Sequence, residues 1–297
     1  MSSYFNAALL IRAGSIRYNI LTLYLFSRTD IKTTFLPVTL FSIGCAPACN
    51  MGSALQCMFW LWLQLLHFNL ANQTSRTSVE EDSKNKPFRP LPSGRITLQQ
   101  AIILRYISLI SGLALSAMYG LRIFLINVGF AVLIVMYHDF QGGSHWLSKN
   151  LMNAAGYCFF EAGGTLIAAC DRQRFDDLAK WSLMMSLAIL ATTIQAQDFQ
   201  DREGDRTAGR RTLPIVFPVI SRYTMLFCLP GWSVILGHVW QLDLMARSAV
   251  IILGTIVGFR YFTFRTVRDD EWTYFLYNGW LLVAFSLPIY SRHFRGD

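Results

Sequence analysis

Two acid-rich segments interrupt an otherwise apolar chain, and each closes on Arg-x-Leu-Pro. The first runs from Asn72 through Glu80-Glu81-Asp82 to Asn85-Lys86-Pro87-Phe88-Arg89-Pro90-Leu91-Pro92-Ser93-Gly94. The second runs Asp198-Phe199-Gln200-Asp201-Arg202-Glu203-Gly204-Asp205 and ends Arg211-Thr212-Leu213-Pro214. Carboxylates gather divalent cations, and Arg and Lys beside them hold phosphate oxygens. The chemistry implied is a metal-bound diphosphate.

Asp198, Asp201 and Asp205 are spaced by three and then four residues, which on a helix sets all three on one face. Like charges stacked this way repel, and a divalent cation removes the conflict. The plainer reading is a solvated helix end neutralised by Arg202, Arg206, Arg210 and Arg211. In the first segment Glu80, Glu81 and Asp82 are consecutive and cannot share a helix face. Taken alone they read as a solvated loop. Asn72, ten residues before Asp82, offers a neutral oxygen or an amide donor. Asn72, Glu81, Asp82, Asp198, Asp201 and Asp205 are the candidate metal ligands, for Mg²⁺. Of these, Asp82, Asp198, Asp201 and Asp205 are the candidate catalytic residues.

Three prolines stiffen the loop from Lys86 to Pro92, so its cations are held near one geometry. Lys86 can act as a point charge on phosphate and Arg89 as a bidentate fork. Asn85 and Arg211 join them as candidate diphosphate binders. Arg95 either caps the next helix or adds to the phosphate site. Lys149, in the polar loop His145–Asn150, is a third cation on the same face or a lysine snorkelling to the interface. His138, Asp139 and His145 match no standard zinc spacing.

These residues need a scaffold, and the composition says which. The chain has 297 residues, 53% hydrophobic and only 15% charged, with mean hydropathy +0.36. Soluble domains carry about 25% charged residues. Apolar segments near bilayer length recur at about 31–48, 54–71, 97–118, 121–137, 151–170, 180–197, 215–237, 246–265 and 272–291. The expected fold is all-α, a single polytopic membrane domain over residues 1–297 with about nine transmembrane helices. The two Arg-x-Leu-Pro stamps lie 122 residues apart, which predicts a four-helix internal pseudo-repeat with halves at about 31–170 and 171–291. Basic residues concentrate in the loops that carry the acids, so those loops are expected in the cytosol. The formal charge of +8 makes no continuous stripe, which argues against a nucleic-acid partner. No cleavable signal is expected at the start. The six cysteines form no CxxC pair and read as buried, reduced thiols.

The motifs resemble those of the UbiA superfamily of intramembrane prenyltransferases and related terpene cyclases. Asn85 to Gly94 is similar to that family's Asn-Lys-Pro-x-Arg-Pro-hydrophobic-Pro-Ser-Gly signature. Asp198 to Pro214 is similar to its Asp-x-x-Asp-x-x-Gly-Asp motif with a downstream Arg-Thr-Leu-Pro. The resemblance covers nearly the whole chain. Prenyltransferases of this family usually open the first motif with Asn-Asp-x-x-Asp-x-x-x-Asp. Here Asp82 fits the last of those positions, and the earlier two fall on Ser75 and Ser78. That form resembles the fungal UbiA-type terpene cyclases, which cyclise a farnesyl-type diphosphate without a separate acceptor.

The resemblance implies metal-assisted ionisation of a prenyl diphosphate, then cyclisation to a sesquiterpene in secondary metabolism. The alternative is transfer of the prenyl group to an aromatic acceptor. A repeat-built transporter explains the bundle but not the acids beside stiff Arg-Pro loops. The implied partners are the prenyl diphosphate and the bilayer, with no obligate protein partner. The implied location is the endoplasmic reticulum. An allylic cation needs a dry wall of aromatic rings. Candidates are Phe59, Trp60, Trp62, Phe68, Tyr157, Phe159, Phe160, Trp181, Tyr274, Tyr277 and Trp280. Glu161, an acid within a span, either accepts the terminal proton or pairs with a neighbouring helix.

Overall fold

The structure is a computed structural model that describes residues 16–75, 79, 82–83, 86–172 and 174–294. Every regular element among them is helical. Helix α1 is Ile16–Ser27. A π-helical turn, Ile31–Phe35, leads into α2, Leu36–Cys45. Helix α3 is Met51–Gln73, α4 is Leu98–Tyr119, and α5 is Leu121–Ile134 with a π-turn extension through Asp139. Helix α6 is Trp146–Ala168, and α7 is Asp177–Thr193 with a 3-10 extension through Phe199. Two short helices follow, α8 (Arg202–Thr207) and α9 (Leu213–Val216). The chain closes with α10 (Pro218–Val239), α11 (Leu244–Thr263) and α12 (Val267–Phe294).

Local chemistry sets the boundaries. Asn50 and Ser53 form a reciprocal capping box that starts α3, and Thr97 and Gln100 do the same for α4. Asp176 and Asp243 cap α7 and α11. Gly120 turns α4 back into α5 at φ +131°, a conformation that L side chains rarely adopt. All nine expected segments coincide with helix. Among the described residues, five stretches are both long and apolar enough to cross a membrane: Leu98–Tyr119, Leu121–Asp139, Asp177–Phe199, Pro218–Val239 and Leu244–Thr263. The expected count of nine spans is therefore not matched by length and apolarity. Met51–Gln73 and Trp146–Ala168 are long enough but place Gln64, His67, Asn69, Lys149, Asn150 and Glu161 inside the bundle.

Polarity runs inside out, as in a lipid solvent. Ile110, Met118, Phe227 and Phe275 are exposed on the outer surface, while serines, asparagines and glutamines are buried. This surface and the apolar helices make it an integral membrane protein. Small polar side chains tie helices together. Trp60 Nε1 and Asn127 Nδ2 both donate to Ser116 Oγ (2.8 and 2.9 Å), and Trp280 Nε1 donates to Ser233 Oγ (2.9 Å). Such bonds contribute about 0.6 kcal/mol each in a membrane. Three packed cores result among the described residues. One holds Trp60, Leu61, Phe130 and Phe160, another Met225, Tyr261, Tyr277 and Trp280, with Tyr157 packed against both, and a smaller third holds Phe26, Leu66, Leu70 and Ala101. The ring closes where α12 meets α2. A Cβ on Gly44 would lie 2.5 Å from Ile289, and Arg292 donates to the carbonyls of Gly44 and Cys45 and to Asp176.

The six cysteines are free. Cys45 and Cys57 are buried, but Cys170 is exposed and donates to Ala48 O, against the expectation of a buried thiol.

Candidate functional site

The second acidic segment does not form one helix. The 3-10 turn that ends α7 carries Asp198, Asp201 lies in the following turn, and Asp205 sits in α8. The expected single face is thus broken after Phe199, where the 3-10 turn that begins at Ile194 ends. The break still brings Asp198 and Asp205 to one cation. Lys149 Nζ, one turn into α6, lies 2.6 Å from Asp198 Oδ1 and 3.6 Å from Asp205 Oδ2. All three side chains are buried. Arg210 Nη1 completes the group, 3.0 Å from Asp205 Oδ1. Of the two readings of Lys149, the structure shows the inward one.

Asp201 is half-buried at the edge of this group. Burial lifts its carboxyl above the ordinary carboxylate value, and the nearby charge of Lys86 pulls it back. Lys86 belongs to the first motif, so a charge of that motif acts on the second. In that first motif Asp82 is buried and paired with Arg89, whose Nη1 lies 2.8 Å from both carboxylate oxygens. The Pro-rich loop is wound by backbone bonds from Lys86 N to Asp82 O (2.8 Å) and Arg89 N to Lys86 O (3.0 Å). Gly94 ends it at φ +69°. Asn72 lies in the last turn of α3. Glu80, Glu81 and Asn85 lie outside the described residues.

Other candidates are placed differently. The Arg211 side chain is exposed, and its backbone N–H donates to Ser144 O at 2.7 Å. The neighbouring Arg210 takes the ion pair with Asp205. Arg95 neither caps α4 nor faces the acids. Its guanidinium lies over the Tyr18 ring at 4.1 Å and reaches Tyr18 O, which ties α1 to the loop. Glu161 accepts from Ser186 Oγ at 2.7 Å, so it pairs α6 with α7. Asp139 pairs with Arg105.

Among the described residues, no three Asp, Glu, His or Cys side chains come close enough to hold an ion between them. The donor set nonetheless fits a hard divalent cation. Asp198 Oδ2 and Asp205 Oδ2 are buried with no hydrogen-bond partner, beside a half-buried Asp201. Carboxylate oxygens left bare in this way are the ligands Mg²⁺ takes, together with phosphate oxygens.

An apolar cavity lies among α3, α5, α6 and the Ile31–Phe35 turn and is partly open to the outside. Of the candidate aromatics, Phe68, Tyr157 and Phe160 line it. Trp60, Tyr277 and Trp280 are core, and Phe59 and Trp181 face outward. Phe130, Tyr137 and Asn153 also line it and were not singled out in the sequence. The only available signal was their seat on the helices that flank the polar loop His145–Asn150. Helix α6 joins the two regions: Lys149 meets Asp198 at 2.6 Å, and Met152 and Asn153, one turn further on, line the cavity together with Tyr137.

A second missed group anchors the acidic turn. Arg222 Nη1 and Nη2 hold Asp270 at 2.7 and 2.8 Å, both buried, and the Arg222 guanidinium covers the Phe199 ring at 4.4 Å. Arg202 bonds Phe199 O (2.9 Å) and Asp270 (3.2 Å). The turn that carries Asp198 and Asp201 is thereby fixed to α10 and α12.

The chain is similar to a fumagillin β-trans-bergamotene synthase of Aspergillus fumigatus, 32% identical over 280 residues, 93% of this chain and 94% of that one. It is also similar to a diterpene cyclase of Hericium erinaceus, 32% identical over 263 residues, 85% of this chain and 82% of that one. Its fold matches a solved UbiA homologue from Archaeoglobus fulgidus bound to GPP and Mg²⁺, with TM-score 0.63 and 14% identity over 91% of this chain and 99% of that one. The model of the UbiA prenyltransferase family matches residues 31–282, and this chain belongs to that family.

Proposed function

We propose that this protein is a membrane terpene cyclase that ionises farnesyl diphosphate and cyclises it to a sesquiterpene. The observation that carries the reading is the junction along α6. Lys149 meets Asp198 at 2.6 Å, and Met152 and Asn153, one turn further on, line an apolar, aromatic cavity. The similar chains with cyclase names and the first motif, with Ser75 and Ser78 where family transferases usually carry aspartates, support cyclisation over transfer.

Asp198 and Asp205, with Asp201, would hold Mg²⁺, and Asp82 would serve from the first motif. A solved UbiA homologue that carries GPP and Mg²⁺ supports a divalent-metal requirement. When bound, the ion would supply positive charge to the leaving diphosphate. Lys149, Lys86, Arg89 and Arg210 would neutralise the remaining phosphate charge. Before substrate binds, Lys149 and Arg89 are occupied by Asp198 and Asp82, so substrate binding must exchange these partners. The cavity excludes water from the allylic cation, and Phe68, Phe130, Phe160, Tyr137 and Tyr157 present ring faces and edges to it. The reading places the protein in the endoplasmic reticulum with its acidic motifs toward the cytosol.

Microsomes that hold the protein, given farnesyl diphosphate and Mg²⁺ without an acceptor, should release a hydrocarbon to the headspace. Chelation with EDTA should abolish it. Turnover only after addition of an aromatic acceptor would instead identify a prenyltransferase.

A further inference from the structure

The far end of the cavity is closed by two rings. Phe130 of α5 and Phe160 of α6 meet edge to face, with centroids 4.6 Å apart, and both are buried. Space behind them is filled. Trp60 packs against Gly163 one turn further along α6, where a Cβ on Gly163 would lie 2.2 Å from the Trp60 ring. The opposite end is the charged one. Lys149, Asn153, Gly156, Tyr157 and Phe160 succeed one another along α6 from the acids inward. Helix α5 runs the other way and agrees, with Tyr137 packed on Gly143 in the loop before Lys149 and Phe130 against Phe160.

We propose that the Phe130–Phe160 pair is the floor that limits the prenyl tail to three isoprene units. The inference rests on the reading of this cavity as the tail site of a prenyl diphosphate enzyme. From Lys149 to Phe160 is eleven residues, or about 16 Å of helix. An extended isoprene unit advances four carbon–carbon bonds of about 1.5 Å, or about 5 Å along its axis. Three units, about 15 Å, reach the rings, and a fourth, at about 20 Å, meets them. Gly156 sets the width midway. A Cβ there would stand in ordinary contact, 3.6 Å from Leu133 and 3.9 Å from Phe130, so a larger side chain at this position projects into the tail's path without a backbone clash.

The test is release of inorganic diphosphate from geranyl, farnesyl and geranylgeranyl diphosphate with Mg²⁺, by membranes that hold the wild-type chain, Phe160→Ala or Gly156→Leu. The wild-type chain should prefer the fifteen-carbon substrate over the twenty-carbon one by at least about tenfold, the scale on which a pocket rejects excess hydrocarbon. Phe160→Ala should raise the twenty-to-fifteen ratio by about tenfold or more, and Gly156→Leu should shift preference toward ten carbons by a similar factor. If Phe160→Ala does not insert, Gly156→Leu carries the test alone. Equal use of fifteen and twenty carbons by the wild-type chain, or unchanged ratios in the inserted variants, would overturn the floor. Release from none of the three substrates by the wild-type chain would overturn the underlying reading and the floor with it.

Discussion

Lys149 Nζ lies 2.6 Å from Asp198 Oδ1, with both side chains buried where the start of α6 meets the end of the α7 extension. A single ammonium thus neutralises part of a carboxylate cluster while Asp198 Oδ2 stays without a partner. The pair keeps a buried carboxylate tolerable, and in the proposed reading a bound metal and diphosphate would release Lys149 to phosphate.

Removal of one partner leaves a buried charge uncompensated, which costs about 3–5 kcal/mol. Lys149→Met should therefore lower both thermal stability in detergent and diphosphate release. Lys149→Met combined with Asp198→Asn should regain much of the stability and none of the activity. Recovery of activity in the double variant would show that neither group touches the substrate.

Arg89 bridges both oxygens of Asp82 and is held by a proline-stiffened loop. Arg89→Lys keeps the charge but loses the planar fork. Turnover should fall by tenfold or more, since a hydrogen bond to a charged group contributes about 1.5–3 kcal/mol. Measured KM for farnesyl diphosphate should rise, and an unchanged KM would remove Arg89 from the phosphate site.

Arg222 and Asp270 support the acidic turn from outside the site. Asp270→Ala strands the buried Arg222 guanidinium and should destabilise the protein by about 3–5 kcal/mol. The Mg²⁺ concentration for half-maximal rate in the surviving folded enzyme should change less than it does in Asp201→Asn. Thermal melts and Mg²⁺ titrations of both variants check this.

Asp201 gives a pH signature. Its carboxyl is raised by burial, so the folded chain keeps a proton there at a pH where an ordinary carboxylate has lost it. As pH falls through that raised value, protons displace the metal, and the Mg²⁺ requirement should climb. The folding contribution has the opposite sense. The folded state binds the extra proton, so this group's contribution to stability falls as pH rises from the ordinary carboxylate value through the raised one. Asp201→Asn should flatten both trends, and a wild-type Mg²⁺ requirement independent of pH would exclude Asp201 as a ligand.

The acids and the Arg-Pro loop were legible in the sequence because charge in an apolar chain is conspicuous and the spacing is local. Helix positions were legible for the same reason. What stayed hidden depends on distance in space. Arg210 rather than Arg211 meets Asp205 because the turn after α8 orients adjacent side chains in different directions. Arg222 and Asp270 are 48 residues apart and look like ordinary helix-end charges until α10 and α12 pack together. Phe130 and Tyr137 were two aromatics among many, since composition alone does not say which ring faces a cavity. Helices such as Met51–Gln73 and Trp146–Ala168 carry buried polar side chains, so apolarity along the chain does not by itself mark which helices span.

The account turns on carboxylates from both motifs acting at one diphosphate. The direct measurement is inorganic diphosphate released from farnesyl diphosphate by wild type, Asp82→Ala and Asp198→Ala, each present at equal amount in the membrane. The account predicts Mg²⁺-dependent release by the wild type and loss of it in both variants. Undiminished release in either variant would contradict it.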